Sequence, residues 1–212
     1  MSSNINIKYF FDFLSPFSFF AWLNLNENLC KSFPDAVIEA HPLPMGKLFS
    51  THNFPGPGEI PAKRDYELKK CFRYAAQNQI DFKPPKTFPF NPLAILRAAT
   101  THAAGEHQTE VIDIIFKAIW QKSMVLDDPE LIGDLLNGQF PEIVDRSFSK
   151  EARTEIRQNI QMALDAGAFG VPSMVFKDEL FWGNDEIKAL SLAMEGNDNW
   201  DREYYDDLVV KK

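Results

Sequence analysis

In the stretch Asp12-Phe13-Leu14-Ser15-Pro16-Phe17-Ser18 a β-type run gives way to a helical one, and a hydroxyl is left at the junction. Upstream of it Ile5, Ile7, Tyr9 and Phe11 alternate with Asn6, Lys8 and Phe10, the pattern of a strand running out at Asp12. Pro16 sets φ to a helix-compatible value in the first turn, and Ser15 directly before it is a good N-cap. A helix of about four turns is expected to follow. It carries Phe17, Phe20, Ala21, Leu25 and Leu29 on one face and Asn24, Glu27, Asn28 and Lys31 elsewhere. Phe33-Pro34-Asp35 ends it, and residues 37–43 read as a second strand that closes a right-handed βαβ unit.

Working outward, residues 44–61 break into Gly and Pro and read as a long loop of the kind that often carries function. Residues 61–167 read as mainly helical. Tyr66, Leu68, Phe72, Ala75, Ala76 and Ile80 recur at helical spacing, as do Leu93, Leu96, Ala99 and Ala103. Between the two sets, residues 82–90 form an extended proline-rich link. The run 111–120 is apolar on nearly every side and predicts the most buried helix. Asp128-Pro129-Glu130 and Ser149 mark two further helix starts. Residues 170–176 and 179–182 read as two short strands around a Lys177-Asp178 turn, and Asn184-Asp185 reads as the cap of a last helix through Met194. From Glu195 the chain becomes an acidic, aromatic tail that is expected to pack loosely. This order is α/β and thioredoxin-like, with an all-helical insertion. The expected division is residues 1–48 (βαβ), 49–167 (helical insertion subdomain) and 168–212 (ββα and tail).

Composition excludes several functions. The chain has 212 residues, 45% of them hydrophobic and 13% aromatic, which is enough for a full core without disulfide support. Its net charge is −8, its pI about 5.0, and neither nucleic acid nor an anionic membrane is an expected partner, because both require clustered Lys and Arg. Met1-Ser2-Ser3-Asn4 lacks the basic start of a secretion signal, and no apolar run has the length of a membrane span. Cys30 and Cys71 form no CxxC pair, so no redox dithiol is expected; with the missing signal this points to a reducing cytoplasm. His41, His52, His102 and His107 show no metal-ligand spacing, and no metal is expected.

Five pieces in order carry a family resemblance. They are residues 11–18; Asn53, Pro55 and Pro61-Ala62-Lys63; Phe88-Pro89-Phe90-Asn91 with Arg97; Gly167-Ala168-Phe169-Gly170-Val171-Pro172; and Phe181-Trp182-Gly183-Asn184-Asp185. With them the chain resembles the group of 2-hydroxychromene-2-carboxylate isomerases and kappa-class glutathione transferases. That group lies in the thioredoxin-like superfamily, related to the disulfide oxidoreductase DsbA. The resemblance implies glutathione as cofactor, a small aromatic or electrophilic substrate and a homodimer. It makes Ser15 the residue that faces the glutathione sulfur, gives Val171-Pro172 a cis bond that presents the Val171 backbone to the cofactor, and has Asp185 with Asn184 hold the γ-glutamyl end. Asn53, with Lys47 or Lys63, lines the other side. One departure stands out: the family usually has Arg after this Asp, whereas Glu186 follows here.

The chemistry explains why a hydroxyl suits this corner. A thiol with pKa near 8.5 is only a few per cent ionised at neutral pH, so the thiolate must be stabilised. A serine hydroxyl donating to sulfur at a helix N-terminus adds a hydrogen bond worth roughly 1.5–3 kcal/mol, or about one to two pKa units, to the field of the helix dipole. Where the redox relatives carry Cys-x-x-Cys, Ser15-Pro16-Phe17-Ser18 has hydroxyls at both ends and cannot form a disulfide. The expected activity is a glutathione-dependent cis-trans isomerisation in which the thiolate adds reversibly to a conjugated aromatic substrate. The alternatives are a kappa-like transferase acting on other electrophiles and a protein that binds glutathione or a peptide without turnover. Taken singly, each feature has a plainer reading: Ser15 and Asp185 as caps, Asn53, Lys47 and Lys63 as solvated loop residues.

Overall fold

The computed structural model describes residues 5–136 and 139–209. Residues 1–4, on which the expectation of no secretion signal rests, lie outside them. Strand β1 (Ile5–Phe11) turns through residues 12–15 into α1 (Pro16–Asn24). The expected helix has the right length but a different form, because a π-helical turn, Leu25–Leu29, separates α1 from a short α2 (Cys30–Ser32). Polar side chains here compete with the helical ladder: Asn26 Nδ2 donates to Trp22 O at 2.8 Å and Ser32 Oγ to Asn28 O at 3.2 Å. Strand β2 (Ala36–Pro42) follows.

The segment read as a loop holds a helix, α3 (Gly46–Thr51), and a 3-10 turn, Pro57–Glu59. Burial of Leu48 and a bond from Gly56 N to Glu59 Oε1 at 2.7 Å give this Gly/Pro-rich stretch its order. The expected boundary between residues 48 and 49 falls inside α3. Beyond it come α4 (Pro61–Gln77), α5 (Leu93–Ala98), α6 (Thr101–Ala104), α7 (Gln108–Trp120), α8 (Pro129–Leu136), α9 (Pro141–Ser147) and α10 (Lys150–Asp165). Between β2 and β3 the described residues form helices and loops only. The run expected as one helix through Ala103 breaks at Thr100, whose hydroxyl donates to Arg97 O at 2.7 Å and accepts from Ala103 N at 3.3 Å. Ser149 caps α10 as expected, accepting from Ala152 N at 3.0 Å.

The chain ends with β3 (Ser173–Phe176), β4 (Glu179–Trp182), α11 (Ile187–Glu195) and α12 (Arg202–Val209). The tail expected to pack loosely thus contains a helix, all of it exposed. Arg202 fastens it by pairing with Glu179 and Asp198 and lying 4.4 Å over the Trp200 ring.

The strands form one sheet in the order β2-β1-β3-β4, with β1 parallel to β2 and antiparallel to β3, and β3 antiparallel to β4. Strand β1 is therefore central and covered on both faces, which is why its polar alternation stops after Lys8. Ile7, Tyr9 and Phe11 join the main core with α1 and α7, while Phe10 faces Leu43, Leu48, Ala163 and Val175. Helix α7 is the buried centre anticipated for 111–120: Val111, Ile112, Ile115, Phe116, Ala118, Ile119 and Trp120 are all buried. Its Phe116 ring meets Phe13 at 4.8 Å and Phe11 at 5.5 Å. Each such side chain withdrawn from water contributes roughly 1.5–3 kcal/mol, so the end of β1 is a firm base for the corner that follows.

Candidate functional site at the Ser15 corner

Ser15 is the N-cap of α1, in extended conformation with Pro16 in the first helical turn. Its Oγ accepts from Ser18 N at 3.1 Å, and its own N–H donates to Asp12 O at 3.0 Å. A hydroxyl has one proton to give and two lone pairs. Capping uses a lone pair, so the Ser15 proton stays available to an acceptor placed at the positive end of α1. Ser15 is 5% exposed, which keeps the corner largely dry. Ser18, at the other end of the Ser-x-x-Ser pattern, is fully buried, and its Oγ has no partner among the described residues.

Sheet register brings the second expected element to this corner. Phe10 pairs with Ser173 at the end of the β1–β3 ladder, so Val171-Pro172 continues alongside residues 11 and 12. The Val171-Pro172 bond is cis. Among the described residues Val171 takes no part in the loop hydrogen bonds, whereas Pro172 O accepts from Gly183 N at 2.9 Å. That bond draws residues 183–185 to the same edge. Gly183 has φ of 103°, and a Cβ there would stand 2.5 Å from Asp185 Oδ1, so the glycine is what lets the Asp185 carboxylate take its place. Asp185 is exposed, and its carboxylate has no partner among the described residues.

Asn184 does not cap α11; neither the 3-10 turn Asn184–Glu186 nor α11 has a side-chain cap. Its Oδ1 instead accepts from Asn24 Nδ2 at 2.7 Å, at the far end of α1 from Ser15, and Asn24 Nδ2 also contacts Tyr74 OH at 2.7 Å. Asn53 lies exposed on the loop with φ of 55°, a left-handed conformation that Asn tolerates. The neighbouring His52 ring nitrogen lies 3.3 Å from Ala168 O, which ties this loop to the approach to Val171-Pro172. Lys47 and Lys63 are exposed in the first turns of α3 and α4, and neither pairs with a carboxylate among the described residues. Among the described residues no hydrogen bond or ion pair joins Lys63 to the corner, though Lys70 of the same helix lies 5.1 Å over the Phe17 ring.

The corner holds one further functional-site residue that no sequence motif singles out. Asp12, 2% exposed, accepts from Leu14 N at 2.9 Å through Oδ1 and from Met45 N at 2.8 Å through Oδ2. Burial pushes its carboxyl up to about 6, against the opposing pull of the two N–H bonds. The Asp-x-Leu spacing of an Asx-turn is a local signal for the first bond; the second has none. The cysteines lie elsewhere and are free, and burial pushes the Cys71 thiol up to about 12. Among the described residues no cluster of His, Cys, Asp and Glu could hold a metal ion, and no helix is long and apolar enough to cross a membrane.

The chain is similar to several known proteins over most of its length. A 2-hydroxychromene-2-carboxylate isomerase of Pseudomonas putida is 28% identical over 198 residues, covering 89% of this chain and 93% of its own. Glutathione S-transferase kappa 2 of Caenorhabditis elegans is 25% identical, with 87% and 89% covered. A solved 2-hydroxychromene-2-carboxylate isomerase structure superposes with a TM-score of 0.79 at 23% identity, over 90% of this chain and 95% of that one. The DSBA-like thioredoxin domain family matches residues 6–195. With that extent of match and the corner, sheet and cis-proline in place, the chain belongs to the DSBA-like thioredoxin domain family.

Proposed function

We propose that the protein is a glutathione-dependent isomerase of the 2-hydroxychromene-2-carboxylate type, working in the cytoplasm as a homodimer. The observation that carries this reading is the Ser15 hydroxyl, which accepts from Ser18 N while keeping its own proton to donate at the α1 N-terminus. The names of the relatives support the same reaction class.

When bound, glutathione supplies a thiolate that adds reversibly to a conjugated aromatic substrate. Ser15 would donate a hydrogen bond to the sulfur while keeping its proton, and the first-turn amides of α1 would contribute the positive end of the dipole. The free backbone of Val171 offers β-type pairing to the cysteinyl part. Asp185 takes the γ-glutamyl ammonium, with Asn184 beside it, and Asn53 with Lys47 or Lys63 takes the other end. The Phe169 and Trp182 rings, inclined at 51° with centroids 4.9 Å apart and both exposed, add an apolar surface beside Gly170 that suits an aromatic substrate. The helical insertion 49–167 shapes the rest of the substrate pocket.

Two other readings have observations behind them. The relative named a kappa-class glutathione transferase favours conjugation of other electrophiles. Glu186, in place of the usual Arg, favours binding without turnover. A single assay separates the three: purified protein, glutathione and 2-hydroxychromene-2-carboxylate, followed by absorbance and by thiol titration. Isomerisation with the thiol count unchanged is the expected result. Thiol consumed with an electrophile means transferase, and binding with neither means a binding protein.

A further inference from the structure

We infer that Asp12 is a positioning residue that clamps the Ser15 corner to the segment carrying Lys47 and Asn53, so that both sides of the ligand site are set by one buried carboxylate. The inference rests on the reading that these residues face one ligand. Asp12 stands where the central strand ends, and its two oxygens serve two different stretches of chain: Oδ1 takes Leu14 N–H inside the corner and Oδ2 takes Met45 N–H, 33 residues on. Met45 is the residue from which α3 starts, and its carbonyl in turn accepts from Leu48 N and Phe49 N. Fixing Met45 therefore fixes the first turn of α3, where Lys47 stands. The far end of the segment is held independently, by His52 against Ala168.

An ionised carboxylate with one donor on each oxygen is a strong and directional junction. Burial excludes the water that would otherwise replace either bond. No Lys, Arg or His pairs with Asp12 among the described residues, so the two backbone N–H groups are its whole support. A residue kept only to fill space at this point would be apolar, as its neighbours Phe11 and Phe13 are.

Two substitutions cut the clamp from opposite sides. Asp12→Asn turns one acceptor into a donor that cannot take a backbone N–H. Met45→Pro removes the N–H at a residue whose φ of −58° already suits proline, and exchanges a half-buried methionine side chain for the smaller proline ring. Glutathione affinity by calorimetry and amide exchange by mass spectrometry or NMR are the readouts. Each variant is expected to weaken glutathione about tenfold, with the double variant no worse than the weaker single one. In Met45→Pro, exchange at Leu14 and Ser18 is expected to speed up although neither residue was touched. Folded variants with wild-type affinity, or additive losses, overturn the inference. If wild-type protein takes up no glutathione, the functional reading fails by itself; the exchange measurement still decides the clamp, and unchanged protection at Leu14 and Ser18 in Met45→Pro overturns it.

Discussion

The indole Nε1 of Trp120 donates to the carbonyl oxygen of Phe13 at 2.9 Å. The last residue of the most buried helix thus holds the backbone one step before the Leu14-Ser15 corner. The same indole stacks on Phe82 at 5.6 Å, and Phe82 meets Phe20 of α1 at 5.2 Å. The helices between β2 and β3 are in this way bonded and packed to the corner itself, beyond the main sheet.

Trp120→Phe keeps the ring stack but leaves a buried carbonyl unpaired. The expected loss is about 1–3 kcal/mol of unfolding free energy, measured by urea denaturation. A loss under about 0.5 kcal/mol would mean that the bond does not hold the corner.

Ser18 offers the opposite case, a buried hydroxyl with no partner among the described residues. Ser18→Ala removes an unsatisfied polar atom and improves helix propensity, and should raise stability by about 1 kcal/mol. A comparable fall in the same denaturation experiment would show that the hydroxyl has a partner in solution.

Asp12 sets a dependence on pH. Its carboxyl keeps a proton to about 6 in the folded chain and loses it near 3.8 when unfolded, so between those values the folded state binds more protons. Stability therefore falls as pH rises from about 4 through about 6 and levels off above, by on the order of 3 kcal/mol for this group. The difference in unfolding free energy between wild type and Asp12→Asn should shrink across that window. A difference independent of pH would contradict the burial of an ionisable group there.

Gly183→Ala forces a side chain into a left-handed conformation and against the Asp185 carboxylate. It should cost roughly 1–3 kcal/mol of stability and, by displacing Asp185, weaken glutathione about tenfold in calorimetry. Unchanged affinity with lowered stability would remove Asp185 from the site.

How far the corner could be read in advance depends on the range of the interactions that make it. Ser15-Pro16 is a local cap signature, and the switch from the β1 pattern to the α1 pattern lies within a few residues; both are in the structure as expected. The partners of Asp12 and Asn184 are not local. Met45 contributes a backbone N–H that any residue but proline has, and Asn24 offers an amide indistinguishable in sequence from its neighbours Asn26 and Asn28. Helix α3 was hidden because Gly and Pro dominate its surroundings, while its order comes from a buried Leu48 and the tie to Asp12. The π-helical turn was hidden for the converse reason, since Leu25 and Leu29 keep ordinary helical spacing. Helix α12 buries no residue, so no apolar periodicity directed at a core announced it.

Ser15 is proposed to stabilise another molecule's thiolate by donating a hydrogen bond. The most direct test is the pKa of glutathione bound to the protein, followed by thiolate absorbance near 240 nm, in wild type and Ser15→Ala. On this account the bound thiol of the wild type titrates about one to two units below its free value and returns most of the way in Ser15→Ala. A bound thiol with the same pKa in both proteins would contradict it.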